Sequence, residues 1–398
     1  MNEFPRVALF ADTFHEINGA ANILRRLAAY AKEHNRPFLC VRAGNETRSW
    51  REGSVEILEL KRSRAALTLN EDLQYDPLFW RYHNLIKQKL KDFKPDVLHL
   101  TGVNDISLLG FVFAHFKHLP AVASWHTNAH EYLAQRTVNR IPFLPAAVRT
   151  KFKRLIEKNS LRGVMKMYFL AQIQLAPNVE LVEQIRQMTK RPTFLLERGV
   201  DAEFFAPEKR RRSDKTFNLG FVGRLRSEKN VRFLAKVDAA LQKAGVSDYR
   251  FIIVGEGNES DWLRHNIKNI RLTGVLHGEE LARAYADMDL VVFPSKTDAF
   301  GNVALEAMAS GVPSVVMPEG GPKFLIEHGT NGFIARNDTD FCEIVSLMVR
   351  EPERLNAMRE NARETALKYS WENIFESVFE KYKLARTVKK NVRASHLD

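Results

Sequence analysis

The stretch from Pro294 to Pro313 decides the fold of the second half of the chain, and it reads Pro-Ser-Lys-Thr-Asp-Ala-Phe-Gly-Asn-Val-Ala-Leu-Glu-Ala-Met-Ala-Ser-Gly-Val-Pro. It follows the apolar run Leu290–Phe293, which is typical of a buried strand. After a short polar loop comes a run of good helix formers, which Gly311 and Pro313 close. The pattern therefore predicts a strand, a loop and a helix in direct succession, the unit from which parallel sheets are built.

Two carboxylates stand inside this unit, Asp298 on the predicted loop and Glu306 about one turn into the predicted helix. Both can face a ligand on the helix N-terminus, where backbone N–H groups and the helix dipole favour an anion such as a diphosphate. One acid can then bind sugar hydroxyls and the other a ribose. The residues predicted to surround the ligand are Ala299, Phe300, Gly301 and Asn302.

The spacing of these acids, with seven residues between them, resembles the acid-x7-Glu motif of the retaining nucleotide-sugar glycosyltransferases called family 4. The first acid of that motif is usually Glu, whereas this chain has the shorter Asp298, so the identity of the donor sugar stays open. The resemblance implies that Asp298 orients the sugar hydroxyls and that Glu306 binds the donor ribose. The alternative interpretation is an ordinary capped crossover whose acids are incidental.

A basic turn opens the second half of the chain. A predicted strand ends at Val222, Gly223 permits the turn, and a predicted helix begins near Asn230, with Arg224 and Lys229 on either side. Ligands of parallel sheets bind at the carboxyl ends of strands, and two cations there can neutralise a diphosphate. The turn resembles the Gly-Arg…Glu-Lys element of the same family, which implies that Arg224 and Lys229 hold the donor diphosphate. Ordinary surface basicity is the alternative.

Two further loops resemble parts of the family's donor site. Leu272–Gly278 resembles the loop whose backbone meets the nucleotide base, which implies main-chain contacts at Val275 and Leu276 and leaves uracil and guanine equally open. Glu319–Pro322 resembles the Gly-Gly loop that frames the donor sugar, with a plain turn as the alternative.

The first half of the chain contributes two candidates. Gly19 stands at the predicted start of the first helix, where a small residue lets a phosphate or a sugar approach closely. Asp12 and Asn18 nearby are candidate polar contacts, and Asp12 also fits a helix cap. A lone histidine at a strand end is more often structural, but the neighbours of His126 resemble the family's element in which a histidine lies beside the donor sugar. His130 has no such support and is interpreted as structural or acceptor-side.

Strand-like runs alternate with helical patterns along the chain, which predicts parallel sheets with right-handed crossovers. The resemblance implies the GT-B fold, an α/β architecture in which two doubly wound Rossmann-like domains face each other across a cleft and the C-terminal helix crosses back to the first domain. We expect an acceptor-side domain over residues 1–206 with the helix 371–386, and a donor-binding domain over residues 207–370. The polar stretch Pro207–Thr216 fits a linker. The predicted strands are Val7–Ala11, Phe38–Val41, Val55–Leu60, Val97–Leu100, Ala121–Trp125, Leu170–Ala176, Thr193–Leu196, Asn218–Val222, Phe251–Val254, Ile270–Leu272, Leu290–Phe293, Ser314–Met317 and Gly332–Ala335.

The net charge of +12 is unevenly spread. Between Arg136 and Lys166 there are nine Lys or Arg residues and a single acid, Glu157. Apolar residues at helical spacing run through the same window, so it predicts a basic amphipathic helix that binds an anionic membrane surface or ligand. A solvated face of an ordinary helix is the alternative. The residues expected on this acceptor or membrane side are Lys151, Lys153 and Arg154.

The composition argues against three classes of protein: disulfide-rich, membrane-spanning and nucleic-acid-binding. Only two cysteines occur, Cys40 and Cys342, far apart in sequence, which favours a reducing, cytoplasmic setting over a disulfide framework. No run approaches the roughly 20 apolar residues of a membrane span, so membrane contact is expected only as peripheral association with the inner face. Nucleic acid is not expected as a partner, because the aromatic and glycine motifs of RNA-binding modules are absent.

These observations predict an enzyme that moves a hexose, with retention, from GDP-mannose or a UDP-hexose to a hydroxyl of a glycan or glycolipid acceptor. No cofactor is expected beyond the nucleotide diphosphate sugar as co-substrate, and no metal, since both Asp-x-Asp triplets lie at predicted helix ends. The expected catalytic residues are His126, Arg224, Lys229, Asp298 and Glu306.

Two other functions stay open. An inverting transferase of the same fold would need a base in the first domain, and Asp12 or His15 could serve. A non-catalytic basic protein would bind anionic lipid or another polyanion through the basic window and turn over no nucleotide sugar.

Overall fold

The computed structural model describes residues 4–16, 19–70, 73–126, 130, 133–134, 137–138, 141 and 145–394. The chain divides into two compact units, with the boundary between Leu196 and Glu197. Unit 1 contains the residues up to Leu196 and those from Glu372 onward, and unit 2 contains Glu197–Trp371. The boundary lies earlier than the expected one at residues 206 and 207, so the stretch Pro207–Thr216 belongs to unit 2 and does not link the units.

The main sheet of unit 1 has eight strands, which run in the order β10-β9-β8-β7-β1-β2-β4-β3. Neighbours pair in parallel except β3 and β4, which are antiparallel, and β5 and β6 form a separate hairpin. The strands are β1 (Val7–Ala11), β2 (Phe38–Gly44), β3 (Arg48–Glu52), β4 (Val55–Lys61), β5 (Leu67–Asn70), β6 (Leu73–Tyr75), β7 (Val97–Leu100), β8 (Ala121–Ser124), β9 (Ile173–Ala176) and β10 (Thr193–Leu195).

Each helix of unit 1 carries apolar residues that are buried. In α1, residues Ile23, Leu24, Leu27 and Tyr30 recur at helical spacing and are all buried. The strands between the helices are apolar along their length because both of their faces are covered, as in β1, where every residue is buried. The helices are α1 (Gly19–Glu33), α2 (His83–Phe93), α3 (Asp105–Phe116), α4 (Ala146–Tyr168) and α5 (Val179–Thr189).

Unit 2 contains a fully parallel sheet of six strands in the order β13-β12-β11-β14-β15-β16. The strands are β11 (Phe217–Val222), β12 (Tyr249–Val254), β13 (Ile270–Gly274), β14 (Leu290–Phe293), β15 (Ser314–Val316) and β16 (Gly332–Ile334). The helices are α6 (Phe233–Lys243), α7 (Ser260–Asn266), α8 (Gly278–Ala286), α9 (Asn302–Ala309), α10 (Asp338–Arg350) and α11 (Leu355–Leu367). Both units are thus Rossmann-like α/β parts, which confirms the predicted fold class.

The C-terminal helix α12 (Trp371–Ala394) packs on unit 1, as predicted. Phe375 and Phe379 are buried and lie against the ring of Tyr30 from α1, at centroid distances of 5.4 and 5.8 Å. The Tyr30 hydroxyl donates to Glu376 Oε2 at 2.6 Å, and Arg36 donates to the same oxygen at 3.0 Å. The buried aromatic rings and this charged cluster together hold α12 against α1 and the loop that follows it.

Four strands differ from expectation. Strand β3 carries charged, exposed residues around Trp50, so it lacks the apolar pattern that marks the other strands. The short hairpin β5–β6 was likewise not predicted. The strand expected from Leu170 begins only at Ile173, because Leu170 and Ala171 complete the turn after α4 by bonding back to Met167 and Tyr168. In the part of the chain that the structure describes, no helix is both long and apolar enough to cross a bilayer.

Candidate active site

Three of the segments predicted to bind the donor lie at the carboxyl ends of neighbouring strands in unit 2. Strand β14 lies between β11 and β15, and all three are parallel. The turn after β11, the loop after β14 and the Gly-Gly loop after β15 therefore leave the sheet at the same edge, where ligands of doubly wound sheets bind.

Lys229 and Asp298 form an ion pair at this edge. Lys229 Nζ lies 2.7 Å from Asp298 Oδ1, and both side chains are largely buried. Burial alone would raise the pKa of the Asp298 carboxyl, but the Lys229 charge and its hydrogen bond outweigh burial and hold that pKa below its ordinary value. Asp298 is therefore ionised at neutral pH. The turn is fixed further by Asn230, whose side-chain amide donates to the Pro294 carbonyl oxygen at 3.2 Å.

Arg224 stands on the same turn and is about one third exposed, with Nη2 3.8 Å from Glu228 Oε1. Gly223 before it has φ +145°, a region that favours glycine, and its N–H donates to the Val254 carbonyl oxygen at 2.9 Å. A side chain at Gly255 would collide with the Gly223 carbonyl, so the two turns pack backbone against backbone. The turn that carries Arg224 therefore packs against the end of β12.

The loop between β14 and α9 is clamped by the Gly-Gly loop. Gly301 has φ +105° directly before α9, and Gly321 N donates to the Asp298 carbonyl oxygen at 2.6 Å. A Cβ at Gly321 would overlap the backbone of Ala299. In the described chain, Asp298 Oδ2 and Asn302 Oδ1 are buried acceptors without a hydrogen-bond partner. The start of α9 therefore combines a helix N-terminus with two oxygens that can accept from ligand hydroxyls.

Glu306 is held by a residue that the sequence reasoning missed. The hydroxyl of Tyr285, on α8, donates to Glu306 Oε2 at 2.7 Å, and Tyr285 is fully buried. Burial and the Glu306 charge raise the pKa of Tyr285 well above its usual value, so it remains a donor. The apolar spacing of α8 could have indicated a buried face, but it could not show which carboxylate the hydroxyl reaches. The predicted Phe300 is buried nearby in the core of unit 2.

The loop after β13 carries the two residues predicted to meet the base. Val275 is 48% exposed, whereas Leu276 packs partly against the core of unit 2. Gly274 before them has φ +75°, and its carbonyl oxygen accepts from Gly255 N at 2.8 Å. The structure therefore attaches this loop to the end of β12, beside the turn that carries Arg224.

Gly19 and His126 belong to unit 1, and the structure describes them there. Gly19 is the first residue of α1, while Asn18 lies outside the described residues. His126 follows β8, with Nε2 2.6 Å from Ser124 Oγ. The ring of His130 meets Trp125 edge-on at a centroid distance of 5.6 Å.

Asp12 caps a helix. Its Oδ2 accepts from Asn104 N at 2.9 Å and its Oδ1 accepts from Ser107 N at 2.8 Å, so both oxygens satisfy backbone N–H groups at the start of α3. Burial, together with the neighbouring Asp105 charge, raises the pKa of Asp12 to about 7. His15, the other candidate base, has Nε2 3.1 Å from Glu59 Oε2.

The basic helix α4 changes character along its length. Near its C-terminus Met165 and Tyr168 are buried in the core of unit 1. Nearer its N-terminus, Lys151 and Arg154 are exposed, and Lys153 Nζ lies 3.6 Å from Glu157 Oε1. Apolar residues of the same part are exposed as well, at 47%, 39% and 53% for Val148, Phe152 and Leu155. Much of the basic window before α4 lies outside the described residues.

No group of three or more His, Cys, Asp or Glu side chains placed to hold a metal ion occurs among the residues that the structure describes. The two Asp-x-Asp triplets instead make structural contacts. Asp289 binds arginines of its own unit, and the side chain of Asn337 caps α10 at Asp340 N.

Comparison with known proteins gives concordant results. Residues 216–350 match the family model described as "Glycosyl transferases group 1". A GDP-mannose-dependent alpha-mannosyltransferase of Corynebacterium glutamicum is 29% identical over 338 residues, which cover 83% of this chain and 76% of that protein.

Two solved structures share the fold. Sucrose-phosphate synthase from Thermosynechococcus elongatus superimposes with a TM-score of 0.72 at 16% identity, covering 95% of this chain and 98% of that one. WaaG, a glycosyltransferase involved in lipopolysaccharide biosynthesis, gives a TM-score of 0.63 at 13% identity over 94% and 99%. These matches confirm the resemblance drawn from the sequence motifs and the two-part GT-B fold.

Proposed function

We propose that this chain, whose residues 216–350 match the group 1 glycosyltransferase model, transfers mannose from GDP-mannose to a hydroxyl of a glycan or glycolipid acceptor. The name of the Corynebacterium glutamicum relative supports the choice of GDP-mannose over a UDP-hexose. The structural observation that carries the proposal is the edge of unit 2, where Lys229 pairs with Asp298 just before α9, the helix that carries Glu306. Arg224 stands on the same turn as Lys229.

In the proposed reaction the diphosphate leaves and an oxocarbenium-like centre forms at the sugar. Arg224, Lys229 and the backbone N–H groups at the start of α9 stabilise the charge of the leaving diphosphate from fixed positions, and such preorganised stabilisation is usually the largest single contribution to catalysis. These groups take the place of a metal ion. Asp298 and Asn302 accept from sugar hydroxyls, Glu306 accepts from the ribose, and His126 also contacts the sugar.

We further propose that the anomeric configuration is retained, with the leaving phosphate accepting the proton of the acceptor hydroxyl. The carboxylates of unit 2 then bind and do not act as nucleophiles. An inverting reaction would need a base in unit 1, and Asp12, whose oxygens both accept from backbone N–H groups, is poorly arranged for that task.

The anomer of the released sugar tests the stereochemical proposal. GDP-mannose is incubated with the enzyme in the presence of EDTA, and the first sugar released is followed by proton NMR before it mutarotates. The proposal predicts the anomer that is present in the donor. Initial appearance of the opposite anomer would show inversion, and loss of the activity in EDTA would show a metal requirement.

We propose in addition that the exposed part of α4 brings the enzyme to an anionic membrane surface. The supporting observation is that Val148, Phe152 and Leu155 are exposed among cationic side chains, whereas an ordinary docked helix would bury them. Apolar insertion and attraction to anionic headgroups then act together.

A further inference from the structure

A chain of hydrogen bonds inside unit 1 ends on His126. The Tyr382 hydroxyl, on α12, lies 2.7 Å from His99 Nδ1, and His99 Nε2 lies 2.8 Å from Ser124 Oγ. Ser124 Oγ in turn lies 2.6 Å from His126 Nε2. Tyr382, His99 and Ser124 are fully or almost fully buried, so water does not compete for these bonds.

The protons along this chain can be arranged in two directions. His99 is neutral, since burial lowers its pKa to about 3, and one of its ring nitrogens therefore donates while the other accepts. In the first direction Tyr382 donates to His99, His99 donates to Ser124, and Ser124 donates to His126 Nε2. In the reverse direction His126 donates first, and the hydroxyl proton of Tyr382 needs a different acceptor.

Only the first direction satisfies the buried tyrosine. Within the described ranges of the chain, the Tyr382 hydroxyl has no hydrogen-bond partner other than His99. A buried hydroxyl proton without an acceptor is penalised by its lost hydration, so Tyr382 donates and sets the direction. His126 then accepts at Nε2, which places its own proton on Nδ1.

We propose that Tyr382, His99 and Ser124 are positioning residues that hold His126 as the neutral Nδ1–H tautomer. His126 then donates only through Nδ1, so the group it meets there is an acceptor such as a hydroxyl or carbonyl oxygen. This deepens the proposed function, on which the catalytic consequence rests. The helix at the end of the chain thereby controls the protonation of a residue of the proposed site.

The tautomer can be read by nitrogen-15 NMR of protein labelled at histidine, because protonated and unprotonated ring nitrogens have well-separated shifts. The signals of His126 are those that disappear in the His126→Gln variant. We expect a protonated Nδ1 and an unprotonated Nε2 in the wild-type protein. A protonated Nε2 would overturn the proposal.

Two variants test whether the relay causes this state. Ser124→Ala removes the donor to His126, and Tyr382→Phe removes the hydroxyl that begins the chain; each should turn His126 into a mixture of tautomers. Tyr168→Phe is the matched control, because the Tyr168 hydroxyl is equally buried and donates to the Ser124 carbonyl oxygen at 2.9 Å, outside the relay. An unchanged His126 tautomer in Ser124→Ala would contradict the proposal.

Turnover provides a separate readout. We expect Ser124→Ala and Tyr382→Phe to lower kcat for the nucleotide sugar by several-fold with little change in KM, and Tyr168→Phe to leave both unchanged. If the tautomer behaves as expected but the wild-type protein turns over no nucleotide sugar, the relay stands and the proposed function fails. If the enzyme is active and His126 is protonated at Nε2, the function stands and the relay fails.

Discussion

Asp298 occupies the position where the related motif usually has Glu, and its contact with Lys229 gives that difference a physical meaning. The shorter side chain places Oδ1 on the lysine and leaves Oδ2 as an acceptor. The carboxylate therefore has two tasks in the proposed site, since one oxygen fixes the phosphate-binding cation and the other meets the sugar.

We predict that Asp298→Asn lowers donor turnover by on the order of a hundredfold, as expected for the loss of one preorganised electrostatic group. The amide neutralises the partner of Lys229 and weakens the contact with the sugar. Steady-state release of GDP from GDP-mannose measures the effect. Asp261→Asn is the control, because Asp261 is exposed and, among the residues that the structure describes, forms an ion pair only with Arg264 of its own helix α7, at 3.4 Å. Full turnover in Asp298→Asn would contradict the assigned role.

Asp12 allows a prediction about pH. Its pKa in the folded protein is about 7 against an ordinary value of 3.8, so the folded state binds the proton more tightly than the unfolded state. The stability that the protonated Asp12 contributes is complete below pH 3.8, falls as the pH rises above that value, and is lost once the pH passes about 7.

We therefore expect the free energy of unfolding of the wild type, relative to that of Asp12→Asn, to be larger at about pH 5 than at about pH 8. Urea denaturation at the two pH values measures both proteins. The comparison between variants cancels the titration of groups that they share. A difference that stays the same at the two pH values would show that Asp12 is ionised throughout this range, and would contradict the prediction.

At the scale of single elements, the segment Pro207–Thr216 is attached to the rest of unit 2 through the carboxylate of Asp289. Arg210 and Arg359 each place Nη2 2.8 Å from Asp289 Oδ1, and Arg212 pairs with Oδ2. Asn218 N donates to the same Oδ2 at 2.9 Å. A nearly buried carboxylate at the start of β14 thus joins the segment and α11 to the sheet.

Asp289→Asn should destabilise the protein by about 1–3 kcal/mol, since it removes the negative charge that three guanidinium groups share and replaces one accepting oxygen by an NH2 donor. Burial opposes ionisation of Asp289, but the bonded arginines and the Asn218 N–H outweigh it and lower the pKa. The contribution is therefore present at neutral pH and disappears as the pH falls through that lowered value.

Chemical denaturation of the variant at neutral and at acidic pH checks both statements. Asp214→Asn is the control, because Asp214 contacts Arg212 and Arg250 from a half-exposed position, where ion pairs contribute about 0–1 kcal/mol. Equal losses in the two variants would contradict the central place of Asp289.

The exposed cationic side chains of α4 lead to a prediction about binding to anionic lipid vesicles. Replacing Lys151, Lys153 and Arg154 by Glu should abolish sedimentation with vesicles of phosphatidylglycerol and phosphatidylcholine, because it converts attraction to the surface into repulsion. The control reverses three exposed lysines elsewhere in unit 1, Lys87, Lys91 and Lys117, with the same change in net charge. Unchanged binding in the α4 variant, or equal loss in the control, would remove the membrane proposal.

At the scale of the whole molecule, the sequence predicted what periodicity and spacing encode. The parallel sheets followed from apolar runs alternating with amphipathic helices, and the neighbouring turns at Arg224 and Asp298 followed from their places directly after strands. The bonds of Tyr285 to Glu306 and of Tyr382 to His99 join residues far apart in the sequence, and no local pattern carries that information. Strand β3 was not predicted because its charged, exposed residues lack the apolar alternation of a half-buried strand.

The central claim is that unit 2 binds a nucleotide sugar and discharges it. The most direct measurement is release of nucleotide from UDP-, GDP- and ADP-sugars in the presence of EDTA, comparing the wild type with Glu306→Ala and Arg224→Ala. We expect release of GDP from GDP-mannose by the wild type and its loss in both variants. No release from any donor, together with no thermal shift on adding any of the nucleotides, would contradict the proposed function and favour a non-catalytic basic protein.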